Sequence, residues 1–257
     1  MISSADQPTV IVTGAAGGIG EACVLEFLQR GYRVAAADLS SAWSRSEPTS
    51  AQKCVYRHEC DISRDVEVAM LVERTVSLFG RLDTLVNNAA VLLPTKPLDE
   101  TETLERERLI AVNILGTMSC CVHALPHLKR SRGSIVNISS MAGVHGEKHH
   151  AVYAATKGAI NALTKSMALD YGEFGLRVNA VCPSSVLTKN VDDMIAQLSN
   201  AEEIIMLRKK VCPLGFTAQP AEIAAVVGFL SSPGASFVNG VLLPVDGGAE
   251  CGYGIKY

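Results

Sequence analysis

Seven short apolar runs, at residues 9–13, 33–37, 54–58, 82–86, 134–138, 176–181 and 240–245, alternate with longer amphipathic stretches along the whole chain. This alternation constrains the fold more than any other feature of the sequence. The first run, Thr-Val-Ile-Val-Thr, is β-branched, as a buried strand should be. The stretches between runs have helical composition at 21–30, 64–79, 101–129, 154–171 and 221–231, with Thr101 a plausible cap and Pro220 at or just before a first turn. Strand–helix alternation argues for a parallel sheet covered on both faces, and right-handed crossovers make it doubly wound. The expected architecture is a single α/β domain over residues 1–257. Its core is a Rossmann-like, doubly wound parallel sheet of about seven strands with helices on both faces. Residues 40–53 read as a polar loop, and 184–217 as a long interruption with a helical stretch at 191–210, suited to a substrate lid.

Composition narrows the function classes. At 257 residues, 48% hydrophobic and 19% charged, the chain has the apolar content of a packed core rather than of a disordered segment. A net charge of −3, from 23 basic and 26 acidic residues, gives no general attraction to nucleic acid, and no apolar run reaches the roughly 18 residues that span a membrane. The eight cysteines form no Cys-x-x-Cys pair, and the N-terminus shows no basic region followed by an apolar stretch. Buried reduced thiols and a cytoplasmic location are the expectation.

The segment Thr13-Gly-Ala-Ala-Gly-Gly-Ile-Gly20 lies between the first strand and the first helix, where a dinucleotide-binding turn belongs. Glycines allow the tight turn, and the helix N-terminus turns free N–H groups toward a pyrophosphate. Asp38 closes the second strand. A carboxylate there accepts both ribose hydroxyls and repels a 2′-phosphate; no Lys or Arg lies within the turn, so NAD is favoured over NADP. Arg45, in the following loop, is the one residue that complicates this reading.

Tyr153 and Lys157 are four apart on a helix and share a face. A phenol is a poor base near neutrality, and an adjacent ammonium favours its phenolate. Ser140, thirteen residues before Tyr153, follows the fifth strand and can hold a substrate oxygen while Tyr153 exchanges the proton. With Thr13-Gly-x-x-x-Gly-x-Gly20, Asp61-Ile62, Asn87-Asn-Ala-Ala90, Asn113, Ser140, Tyr153-x-x-x-Lys157 and Asp246-Gly-Gly248, the chain resembles the short-chain dehydrogenase/reductase family over nearly its whole length. The resemblance implies a catalytic set of Asn113, Ser140, Tyr153 and Lys157, with Lys157 also bonding the nicotinamide ribose and Asn113 anchoring a water of a proton relay. It implies cofactor contacts from Gly14, Gly18, Ile19, Gly20, Asp38, Leu39, Asp61, Ile62, Asn88, Ala89, Ala90, Pro183, Val186 and Thr188. Spacing to Tyr153 selects Ser140 over its neighbour Ser139. Two residues depart from the family pattern: Ala90 and Ser184 stand where glycine is usual.

The expected reaction is NAD-dependent interconversion of a secondary alcohol and a ketone. An NADP-dependent carbonyl or acyl-thioester reductase and a non-catalytic NAD-binding protein are the alternatives. The polar stretch Gly146-Glu-Lys-His-His150 suggests a polyol, sugar or hydroxy acid, contacted by His145, Lys148, His150 and Ser184. No metal site is expected, because adjacent histidines in a loop point apart and no acidic or Cys partner is expected nearby. The long helix at 101–129 and the helix after Tyr153 have apolar residues on more than one face; in the family these helices pack between subunits, so a homotetramer is expected, with a homodimer as the alternative.

Overall fold

The computed structural model describes residues 7–39, 41, 54–196 and 200–251. The loop expected at 40–53, apart from residues 41, and with it Arg45, lies outside the described residues, as does the tail beyond residue 251. Seven parallel strands form one sheet in the order β3-β2-β1-β4-β5-β6-β7: β1 (Thr9–Thr13), β2 (Arg33–Asp38), β3 (Val55–Glu59), β4 (Thr84–Asn87), β5 (Ser134–Ile138), β6 (Arg177–Pro183) and β7 (Leu242–Val245). The chain reverses its direction of winding between β1 and β4, which pair through Val10 opposite Thr84 and Val12 opposite Val86.

Strand periodicity sorts the core into two layers. Val10, Val12, Val34 and Ala36 face one side and pack with Cys23 and Phe27 of α1 (Gly18–Gln29) and with Ile223 and Val227 of α9 (Pro220–Ser231). Ile11, Ala35 and Ala37 face the other, against Val68 and Leu71 of α2 (Asp65–Phe79) and against α4 (Thr117–Ser131). All five residues of β1 are buried, as a central strand covered on both faces requires. Gly80, at φ 79°, ends α2 in the left-handed conformation that favours glycine.

Several boundaries differ from the sequence expectation. α1 starts at Gly18, so the glycine turn itself supplies the first helical turn. Thr101 does not cap the next helix, α3 (Thr103–Ile110); its hydroxyl donates to Pro97 O, and Glu102 caps through a reciprocal pair with Glu105. A π turn at Ala111–Gly116 joins α3 to α4 as one helix of 29 residues. That helix is long and apolar enough to cross a membrane, yet Cys120, Cys121, Ala124 and Leu128 are buried in the layer over the sheet. A short helix unforeseen in the sequence, α5 (Ala142–His145), precedes α6 (Ala151–Tyr171). The helical stretch of the interruption is two helices, α7 (Lys189–Ala196) and α8 (Ala201–Val211).

Candidate active site

A cleft of about 1380 Å³ runs along the C-terminal edge of the sheet, over the point where winding reverses. At its floor the turn after β1 is folded back on itself. Gly14 and Gly18 have φ of +64° and +54°, and a Cβ on Gly20 would lie 1.9 Å from Gly14 O. Gly20 does not line the cleft; its lack of a side chain lets α1 begin against the turn. Asn88 Nδ2 donates to Thr13 O and Gly14 O at 2.9 Å each, while Thr13 Oγ1 accepts from the Asn88 and Ala89 amides at 3.1 Å. The ends of β1 and β4 are therefore stapled together, a role for Thr13 that the sequence reading missed.

Asp38 lines the cleft from the end of β2. Its Oδ2 accepts from Ala16 N at 2.8 Å and its Oδ1 from Leu39 N at 2.8 Å, so the carboxylate also braces the glycine turn. Ile19, Leu39, Asp61 and Ile62 line the same end. Asp61 Oδ1 is held by the Ser63 amide and hydroxyl at 2.9 and 2.7 Å. A Cβ on Gly116 would lie 2.8 Å from Ile62 O, so this glycine lets the long helix close on that strand end. On the far wall, Thr188 sits over Gly18, Val186 is buried and bridges Ala218, and Pro183 O accepts from Met141 N at 3.0 Å. Ala89 and Ala90 also line the cleft; Ala90 is exposed, so its methyl displaces nothing in the core.

The candidate reacting groups meet where β5 ends. Ser140, Tyr153 and Lys157 all line the cleft. Ser140 Oγ accepts from Ala142 N at 3.1 Å, and its hydroxyl acts on Tyr153, pulling the phenol pKa down. Ser139 is instead buried and donates to Asn161 Oδ1 at 2.6 Å and to Lys157 O at 3.2 Å, which anchors α6. Lys157 Nζ donates to Ile138 O at 2.7 Å and lies 5.7 Å from the Tyr153 ring centroid. The lowering expected for Tyr153 is overturned in this state. Burial pushes the phenol up to about 12, with Ser140 pulling down and Glu147 pushing up. Burial brings Lys157 down from 10.5 to about 8. Desolvation dominates both shifts, and the ammonium is turned to a backbone carbonyl.

Asn113 sits in the π turn and does not line the cleft. Its Oδ1 accepts from Val91 N at 2.7 Å, and its Nδ2 donates to Val91 O at 3.0 Å and to Thr156 Oγ1 at 3.2 Å. The amide thus clamps the segment after β4 against α6.

At the other end of the cleft the sequence expectation needs two corrections. Lys148 is exposed and does not line the cleft. Gly146 (φ 81°) and His149 (φ 63°) turn the chain so that Lys148 stays on its outer side. Glu147, itself exposed, borders the cleft instead, with Oε2 at 2.9 Å from His150 Nδ1, so an acidic partner does adjoin the histidine pair. The Glu147 bond raises the His150 pKa against the opposing effect of burial. The second carboxylate, Glu250, reaches His145 Nε2 at 3.3 Å. Asp246 aims it, accepting from Gly248 N at 2.9 Å and Glu250 N at 2.7 Å. Ser184 lines this end and donates to Asp246 O at 3.3 Å. The signal for Glu147 was legible as a carboxylate three residues before His150; Glu250, distant in sequence, had no such signal.

Residues 14–250 match the family model described as enoyl-(acyl carrier protein) reductase. The chain belongs to the short-chain dehydrogenase/reductase family. The chain is 41% identical over 245 residues to an L-fucose dehydrogenase of Oryctolagus cuniculus, covering 95% of this chain and 86% of that one. It is 38% identical over 257 residues to a meso-2,3-butanediol dehydrogenase of Serratia marcescens, covering 97% of each. Among solved structures, an aldohexose dehydrogenase of Thermoplasma acidophilum superposes with a TM-score of 0.87 at 33% identity, over 99% of this chain and 98% of that one. Two further solved relatives, at TM-scores of 0.86 and 0.85 and identities of 30% and 28%, hold NADP and NADH respectively. As a short-chain dehydrogenase/reductase, this protein is a nicotinamide-dependent oxidoreductase acting on CH–OH groups of small molecules.

Proposed function

We propose that the protein is an NAD-dependent dehydrogenase that oxidises a secondary alcohol of a polar, hydroxylated substrate to a ketone. The observation that carries the cofactor choice is Asp38, a carboxylate lining the cleft at the end of β2 and tied to the glycine turn through Ala16 N. A 2′-phosphate beside that charge is repelled, whereas ribose hydroxyls donate to it. The site fits a dinucleotide: the turn is closed to any side chain at Gly20, and the cleft spans from Asp61 to Ser140. Gly14, Gly18, Ile19 and Asp38 would hold the adenosine half and its phosphates, and Asn88, Lys157, Val186 and Thr188 the nicotinamide half. Bound NAD supplies the hydride-accepting carbon and a positive charge beside the reacting groups.

The chain supplies the proton chemistry. Ser140 Oγ and Tyr153 Oη hold the substrate oxygen, and Tyr153 takes its proton as the carbinol is oxidised. Tyr153 is a neutral phenol in this state, so it donates directly in ketone reduction and must first lose its proton for oxidation. Oxidation therefore rises with pH and reduction falls. Lys157, held near 8, exchanges a proton close to neutrality and completes the pair. Asn113 fixes Val91 and Thr156 around it as part of the relay. Helices α7 and α8 bring Ile195 and Ile204 to the cleft and act as the lid. Apolar residues left exposed on the long helix and α6, among them Val122 and Leu169, support a homotetramer. Buried Cys120 and Cys121, whose thiols burial keeps protonated, suit a reducing cytoplasm.

The test is NAD against NADP reduction with secondary alcohols, polyols, sugars and hydroxy acids. Turnover with NAD that is lost in Tyr153→Phe, and a preference that moves toward NADP in Asp38→Ala, are expected. A wild-type preference for NADP, or a Tyr153→Phe variant with full activity, overturns the reading.

A further inference from the structure

We propose that Glu147 and Glu250 make the substrate end of the cleft selective for neutral polyhydroxylated alcohols and exclude hydroxy acids that carry a carboxylate. The inference rests on the dehydrogenase reading above and narrows its substrate class. Both side chains line the cleft beyond Ser140 and Tyr153, one from the loop before α6 and the other from the turn after β7. Each carboxylate has one oxygen engaged by a histidine: Glu147 Oε2 with His150 Nδ1 at 2.9 Å, and Glu250 Oε1 with His145 Nε2 at 3.3 Å. Among the described residues the other oxygen of each takes no side-chain bond, and a carboxylate oxygen accepts strongly from a hydroxyl.

The Glu147 charge acts on the reacting centre, pushing the Tyr153 phenol up, and the Glu250 charge acts beside it, on the buried Cys182 thiol. A substrate whose oxygen sits on Ser140 and Tyr153 therefore places its remaining groups within the field of both carboxylates. Of the cations lining the cleft, Lys157 is turned to Ile138 O, Lys189 pairs with Asp193 at 3.4 Å, and His150 and His145 are already engaged by Glu147 and Glu250, while Arg108 is exposed on α3. Leu92, Ile195 and Ile204 give the same end an apolar wall for the C–H face of a sugar or polyol. Hydroxyl-accepting carboxylates beside apolar surface match a neutral polyol, whereas a substrate carboxylate meets two like charges.

The test uses matched neutral and anionic secondary alcohols with NAD: 2,3-butanediol against 3-hydroxybutyrate, and an aldohexose against its uronic acid. kcat/KM is measured for wild type, Glu147→Gln and Glu250→Gln, with NADH binding followed by calorimetry in each. Wild type is expected to favour the neutral member of each pair by at least about tenfold. Each variant is expected to shrink that ratio several-fold, chiefly through KM for the anion. Glu147→Gln should in addition move the rise of oxidation with pH to lower pH, because a charge raising Tyr153 is gone. A wild-type preference for the anions, or variants that change both members of a pair equally, overturns the inference while leaving the dehydrogenase reading intact. No turnover of any pair by a protein that still binds NADH overturns both the substrate reading and the inference.

Discussion

Lys157 should weaken the folded protein, and replacing it with methionine tests this directly. The side chain is buried, and burial lowers its pKa from 10.5 to about 8. At about 1.36 kcal/mol per pH unit, keeping its ammonium charged in the cofactor-free site at pH 7 costs about 3 kcal/mol. Lys157→Met removes that charge at similar volume. It also deprives Ile138 O of a donor now 2.7 Å away, which takes back about 1 kcal/mol. The expected net gain at pH 7 is about 2 kcal/mol, a rise in Tm of about 4–8 °C for a chain of this size. The pH dependence is the sharper signature. Between about 8 and 10.5 the unfolded chain binds a proton that the folded wild type does not, so wild-type stability rises with pH across that window. The variant lacks this rise, so its advantage shrinks, closes near pH 10 and gives way to a deficit of up to about 1 kcal/mol above it. Thermal and urea unfolding of the cofactor-free proteins from pH 7 to 10.5, at one protomer concentration, measures both. A difference that stays constant with pH, or a variant already less stable at pH 7, would refute the desolvation argument.

Two further substitutions probe the two ends of the cleft. Gly20→Ala places a Cβ at 1.9 Å from Gly14 O and 2.6 Å from Asn88 Nδ2, so the turn must open; a stability loss of about 1–3 kcal/mol and at least about tenfold weaker NADH binding by calorimetry are expected, and unchanged affinity would show that the turn does not hold the dinucleotide. Lys148→Ala alters an exposed side chain outside the cleft lining, so kcat/KM should stay within about twofold for neutral and anionic alcohols alike; a selective loss with anions would return Lys148 to the substrate site.

The strand-end residues proposed to hold the cofactor were legible in the sequence because topology places them. In a parallel sheet every strand ends on the same edge, so a residue just after a strand is at the site wherever that strand lies in the order. Gly14 follows β1, Asp38 ends β2, Asp61 follows β3, Asn88 follows β4, Ser140 follows β5 and Ser184 follows β6. Tyr153 and Lys157 share a face through helical spacing alone. Local conformation was harder to read. Thr101 and Glu102 are both able to cap, and the reciprocal bond from Glu105 decides between them. The π turn around Asn113 breaks helical periodicity without any residue that marks it.

The substrate half resists such reading for a different reason. It is assembled from three segments that are not strands: the loop before α6, the lid helices and the turn after β7. Its key residue choice, Glu147 bordering the cleft and Lys148 outside it, depends on two positive φ values at Gly146 and His149. That backbone is itself held from outside, by Lys96 N donating to His149 O at 2.8 Å and by the His150 ring against Leu93 O at 3.3 Å. A polar pentapeptide carries no periodicity from which to infer such contacts. Glu250 is aimed in the same indirect way, by Asp246 through backbone amides, and reaches His145 only once α5 and the turn after β7 lie side by side. A fold that fixes its cofactor chemistry at strand ends and leaves substrate recognition to tertiary contacts between loops can change its substrate without disturbing the Tyr153–Lys157 pair. On that argument, substitutions at Glu147 and Glu250 should move substrate preference while Asp38 continues to set the choice of dinucleotide.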